Sequence, residues 1–90
     1  YMAAHGGKIA AENALGDESA PRYDATAMPE VTFSDPQVAS VGLTEAAARR
    51  AGLEVETRIV PLDQVPRALA ARDTRGLIKL VAERGSGRLL

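Results

Sequence analysis

Met28-Pro-Glu-Val-Thr-Phe-Ser-Asp-Pro-Gln-Val-Ala-Ser-Val-Gly42 decides how the rest of this 90-residue chain is read. Glu30 to Ser34 alternates polar and apolar side chains and carries the β-branched residues Val31 and Thr32, which is the pattern of a strand with one face against a core. Asp35-Pro36 interrupts it as a turn, because proline lacks an N–H and restricts the residue before it. Gln37 to Val41 resumes the extended pattern. Gly42 closes it at a position that calls for a positive φ or close packing.

Downstream the signals change period. Thr44 to Ala51 opens with a hydroxyl able to cap orphan amides, places Glu45 in the first turn and Arg49 and Arg50 in the last, and is followed by Gly52, so cap and dipole signals agree on a helix. Leu53 to Leu62 reads as a strand with Val55 and Thr57 on one face and Glu54, Glu56 and Arg58 on the other, limited near its end by Pro61. Gln64 to Arg72 predicts a short helix after Pro66, with Ala68, Leu69 and Ala71 as its apolar members. Asp73-Thr-Arg-Gly76 turns the chain. Leu77 to Ala82 is a strand, Glu83 to Gly87 a hairpin loop, and Arg88 to Leu90 the start of a further strand.

Upstream, Tyr1 to Leu15 is alanine-rich with Ile9, Ala10 and Ala14 at helical spacing and a stop at Gly16-Asp17, so it predicts a helix. Gly6-Gly7 inside it costs roughly 1 kcal/mol per glycine relative to alanine, tolerable where the backbone passes close to another surface. Asp17 to Ala27 mixes Gly, Asp, Ser, Pro and Arg without period and reads as a loop between two structural units. The sum is an α+β fold: an antiparallel sheet of about four strands flanked by helices, truncated at the C-terminus, where a hairpin arm cut after three residues leaves an incomplete edge.

Composition excludes several functions. Eleven Lys and Arg against twelve Asp and Glu give a net charge of −1, and Tyr1, Tyr23 and Phe33 are too few for a stacking platform, so no nucleic acid is expected as a partner. With no cysteine the chain has no disulfide framework and no dithiol chemistry of its own. No apolar run approaches the ~20 residues that span a bilayer and no signal peptide is visible, which predicts no membrane association and a cytoplasmic location. His5 is the single histidine and cannot build a multi-histidine metal site. Asp35 and Glu45 read as turn and helix-start residues rather than an acid–base pair. Neither a G-x-G-x-x-G turn nor a Walker-type loop occurs, so the chain carries no dinucleotide or triphosphate cradle. Arg67, Arg72, Arg75 and Lys79 bias the Pro66–Val81 stretch toward positive charge, but Asp63 and Asp73 are interspersed, as on a solvated face around a turn.

The Ser34-Asp-Pro-Gln-Val-Ala-Ser-Val-Gly42 run with Thr44-Glu45 resembles the opening of the C-terminal interface domain of the flavin-dependent pyridine nucleotide-disulfide oxidoreductases. Val65-Pro-Arg-Ala-Leu69 and Asp73-Thr-Arg-Gly76 narrow the resemblance to the mercuric reductase branch, with the dihydrolipoyl dehydrogenases as the near alternative. A free-standing binding or scaffold module is the rival of another class. The resemblance implies that residues 1–16 are the last helix of a preceding FAD-binding domain, 17–27 a linker, and 28–90 an incomplete dimerisation domain. It implies a parent enzyme in which NADPH reduces FAD, FAD reduces a cysteine pair, and Hg(II) is reduced to Hg(0). It further implies a homodimer formed through the interface domain, and contact with the FAD-binding domain of the same chain. No catalytic group falls within these residues, and Tyr1 is the one flavin-side candidate. The 90 residues alone are expected to bind no cofactor or metal.

Overall fold

The computed structural model describes residues 1–16 and 21–90, so part of the loop expected over 17–27, namely residues 17–20, lies outside the described residues. The chain divides into two compact units, Tyr1–Thr32 with Val38–Gly42, and Phe33–Gln37 with Leu43–Leu90. Helices and antiparallel strands coexist without a parallel crossover, as an α+β fold requires.

In the first unit the N-terminal helix α1 runs Met2–Leu15. Its end at Gly16 is extended, with φ −94°, so the glycine stops the helix without adopting the left-handed cap conformation. Gly6 faces Tyr23, whose Cε2 stands 3.8 Å from where a Cβ would be, whereas Gly7 faces open space. At Gly6 a Cβ would make only an ordinary van der Waals contact, so neither glycine of the pair is demanded by a lack of space within this unit. The strands β1 (Glu30–Thr32) and β2 (Val38–Ser40) pair antiparallel, Glu30 with Ser40 and Thr32 with Val38. They are shorter than the alternation suggested because Ser34 to Gln37 is given over to the turn, where the Ser34 hydroxyl donates to the Pro36 carbonyl at 2.8 Å and the Asp35–Pro36 bond is cis. Gly42 has φ +74°, the positive value its position called for.

The second unit holds the buried residues. Helix α2 (Glu45–Arg50) begins where Thr44 Oγ1 accepts from the Ala47 amide at 3.2 Å. Thr44→Ala should therefore lower stability by about 1 kcal/mol, read as a reduced denaturation midpoint with an unchanged slope. Strands β3 (Val55–Pro61) and β4 (Leu77–Glu83) form a full seven-pair antiparallel ladder from Val55–Glu83 to Pro61–Leu77. The connection between them is a 3-10 turn at Leu62–Gln64, helix α3 (Pro66–Ala71) with proline at its start, and a turn that returns through Gly76. Arg72 ends α3 in the left-handed conformation, φ 55°, a role more often given to glycine. Among the described residues Ala48, Val55 and Ala68 are the buried apolar ones, so the core they form is a thin seam of small side chains.

The four strands among the described residues are divided between two two-stranded sheets, β1–β2 and β3–β4. Arg88–Leu90 joins β4 by an isolated bridge, Ala82 to Leu89, instead of a strand. Its backbone is nonetheless tied down: Leu90 N–H donates to Val81 at 3.0 Å, and its carbonyl accepts from Leu43 N–H at 2.8 Å.

Candidate functional site

Large apolar side chains that a self-contained core would cover stand exposed in each unit: Val31, Val38 and Val41 in the first, and Ile59, Leu77, Ile78 and Leu80 in the second. Ile78 and Leu80 are 43% and 44% accessible and sit in the middle of a regular ladder, not at a frayed end. A row of this kind is the mark of a surface that meets another. Docking is what this arrangement can do.

The polar groups around it are held in place by charge. Glu45 accepts from Arg49 at 2.7 Å and from Lys79 at 2.6 Å, which fastens α2 to β4 and, with Lys79 the larger influence, lowers the Glu45 carboxyl below its ordinary range. Arg75 reaches Asp73 through two nitrogens and Asp35 through one, at 2.7–2.9 Å, although Asp35 is 40 positions away in sequence. These three residues line an open groove of about 400 Å³ together with Ser34, Gln37 and Leu62. The Arg75 hydrogen bonds lower Asp73 to about 2, and the two carboxylates raise Arg75 beyond its already high value.

A carboxyl whose folded pKa lies below its unfolded value stabilises the fold above the unfolded value and loses that contribution as pH falls through the folded one. Asp73 starts from 3.8 and reaches about 2. Wild type should accordingly be more stable than Asp73→Asn at neutral pH, with the difference closing between about pH 4 and pH 2 in urea titrations.

Asp35 and Glu45 thus take separate cationic partners and form no acid–base pair, and two of the four basic residues of the Pro66–Val81 stretch, Arg75 and Lys79, are engaged by carboxylates. The sequence did not disclose the Asp35–Arg75 contact, since no periodicity links two exposed turn residues so far apart.

In the first unit, Tyr1 is 84% accessible and stands at the mouth of a groove of about 460 Å³ with Ala4, His5, Asp24, Met28 and Pro29. His5 stacks tilted on Tyr23 at 5.2 Å between ring centroids, and its Nε2 lies 3.1 Å from the Asp24 carbonyl oxygen. Hydrogen bonds from the Thr26 hydroxyl and amide hold the Asp24 carboxyl below its ordinary range. His5 therefore braces α1 against the following segment, the packing role that a lone histidine most often has. Among the described residues no three His, Cys, Asp or Glu side chains gather as a metal site, and no helix is long and apolar enough to cross a membrane.

The family described as "Pyridine nucleotide-disulphide oxidoreductase, dimerisation domain" matches residues 28–90. The chain belongs to this family. It is 56% identical over 90 residues to the mercuric reductase of Streptomyces lividans and 57% identical over 90 residues to that of Acidithiobacillus ferrooxidans. All of this chain is covered in both alignments, but only 19% and 16% of those proteins, so it spans less than a fifth of either. Among solved structures, the HOCl-induced flavoprotein disulfide reductase RclA from Escherichia coli matches with a TM-score of 0.77 and 31% identity, over 92% of this chain and 19% of that one.

Proposed function

We propose that this chain is the interface portion of a cytoplasmic, FAD- and NADPH-dependent mercuric reductase, and that it supplies dimer contact to an enzyme whose bond-making groups lie elsewhere. The observation that carries the reading is identity of 56–57% with mercuric reductases across the whole chain, against 31% with the disulfide reductase. On this reading residues 28–90 are the dimerisation domain, 17–27 a linker, and 1–16 the closing helix of the FAD-binding domain. Residues of the dimerisation domain meet their two-fold copies, while α1 rests against the remainder of its own flavin domain.

The residues present suit an edge contact to a flavin and not a cradle for one. Tyr1 offers an accessible ring and hydroxyl beside the small side chain of Ala4, and the sequence has no glycine-rich phosphate turn. The flavin would supply electron transfer from NADPH toward a cysteine pair. This chain's part is to exclude water from the flavin's edge at Tyr1 and to hold the second subunit in register. Hg(II) is the substrate.

The complete open reading frame that carries this segment, expressed and purified, should yield a yellow dimer that oxidises NADPH in the presence of Hg(II) and releases volatile mercury. Turnover of a dithiol–disulfide substrate with no response to Hg(II) would place the parent among the disulfide reductases instead. A colourless protein with neither activity would leave the scaffold-module reading standing.

A further inference from the structure

Two turns of the second unit meet through one arginine. Asp73 grips Arg75 from two positions away: its Oδ1 accepts from the Arg75 amide at 3.2 Å and from Nε at 2.9 Å, and its Oδ2 accepts from Nη2 at 2.8 Å. A guanidinium held along one edge by both oxygens of a carboxylate is fixed in its plane, so little rotamer freedom remains to be lost when it makes one bond more. That bond also comes from Nη2, which donates to Asp35 Oδ1 at 2.7 Å. The Phe33–Gln37 turn has little else to hold it. Its Ser34 hydroxyl donates inside the turn, to the Pro36 carbonyl, and among the described residues no backbone hydrogen bond outside the β1–β2 ladder reaches it. The Asp35–Arg75 pair is thus the polar tie across the open groove that Pro36 and Leu62 also line.

We infer that Asp35, Arg75 and Asp73 form a salt-releasable latch, in which Asp73 positions Arg75 and Arg75 holds the Phe33–Gln37 turn across the groove. The inference goes beyond the proposed function and does not depend on what the parent enzyme reduces. Exposure sets the sensitivity: the Asp35 side chain is 83% accessible and that of Arg75 60%, so no desolvated surroundings shield the pair from added ions. An isolated pair this exposed contributes little, but an arginine held bidentately within a network of charges is the geometry in which such a contact counts. At about 1 M salt the screening length falls to about 3 Å, comparable to the contact itself, and the latch opens. Release lets the turn, with the 82% accessible Phe33 at its start, swing away from Leu62 and widen the groove. The latch gives one physical role to two stretches that stand apart in the sequence, Ser34–Gln37 and Asp73–Gly76.

The test puts a genetically encoded, nitroxide-bearing aromatic residue in place of Phe33 in the complete protein and reads the ratio of mobile to immobile label by electron paramagnetic resonance, with circular dichroism as the folding control. Raising the salt from roughly 20 mM to about 1 M should increase that ratio about threefold when the latch residues are intact. Asp35→Asn should show the raised ratio already at low salt and respond to salt no further. Asp73→Asn changes a residue that makes no hydrogen bond to the turn, yet it should raise the low-salt ratio about twofold, because Arg75 loses the group that positions it. The double variant should go no further than Asp35→Asn alone, since both substitutions act through one arginine. A label indifferent to salt with the latch residues intact, an Asp35→Asn variant that still responds, an inert Asp73→Asn, or effects of the two substitutions that add would each overturn the latch.

Discussion

Ala48→Asp is expected to abolish the cooperative unfolding transition of the Leu43–Leu90 unit at neutral pH. Ala48 is 0% accessible and is the buried residue of α2, the helix that packs on β3, where Val55 is 7% accessible. A carboxylate there has nowhere to go, because a six-residue helix cannot rotate it to solvent without surrendering its contact with the sheet. An unpaired buried charge costs several kcal/mol after relaxation, and a core of this size rarely supplies more than roughly 3–5 kcal/mol in total. The single substitution therefore consumes the whole margin. Ala48→Ser, nearly isosteric and able to back-bond within the helix, should retain a transition at a lower midpoint. Because protonation removes most of the burial penalty, Ala48→Asp should regain structure as pH is lowered toward the acid range, monitored by circular dichroism, before general acid destabilisation sets in. A wild-type melting profile for Ala48→Asp at pH 7 would show that α2 is not docked as described.

The same residue illustrates how far the sequence could be read. Thr44 as cap, Glu45 and Arg49 as first- and last-turn charges and Gly52 beyond them located α2 to within a residue, because those signals are local and act through the backbone. The strand Val55–Pro61 and its partner Leu77–Glu83 were legible for a similar reason, through alternation bounded by proline and glycine. How the strands are shared between sheets was not. Division into two hairpins is set by which ladder finds a partner, and Arg88-Leu-Leu90, with the apolar content of a strand, reaches only one bridge to Ala82.

Alternation by itself does not set exposure along β3. Ile59 lies on the same face as Val55 yet is 57% accessible, against 7% for Val55. Burial depends on what packs above a strand, and sequence period reports only which side a residue takes. The Asp35–Arg75–Asp73 cluster was hidden for a third reason: it joins two turns, and turns carry no periodic signal that could relate one to another. Family resemblance carried the functional reading further than any single residue did, since a docking surface has no motif of its own beyond apolar side chains left uncovered.

Gly76→Val is expected to destabilise the same unit by about 2–4 kcal/mol, the second largest effect of any substitution considered. Gly76 holds φ +117°, a conformation that a β-branched residue reaches only under strain, commonly of order 1–3 kcal/mol. Space is short as well: an added Cβ would lie 3.4 Å from Leu62 Cδ1 before either Val methyl is counted. The position cannot relax cheaply, because the Gly76 carbonyl accepts from the Leu62 amide at 3.1 Å and so closes the base of the β3–β4 ladder next to the Pro61–Leu77 pair. Gly85 provides the internal control. It also has a positive φ, +89°, but nothing lies within 4 Å of its would-be Cβ, so Gly85→Asn, which tolerates the left-handed region, should cost about 1 kcal/mol or less. Guanidinium titrations of the two variants separate the contributions. A Gly76→Val midpoint no lower than that of Gly85→Asn would mean that the return turn is free to rearrange, and that the register presenting Ile78 and Leu80 on one face is not fixed at this end of the ladder.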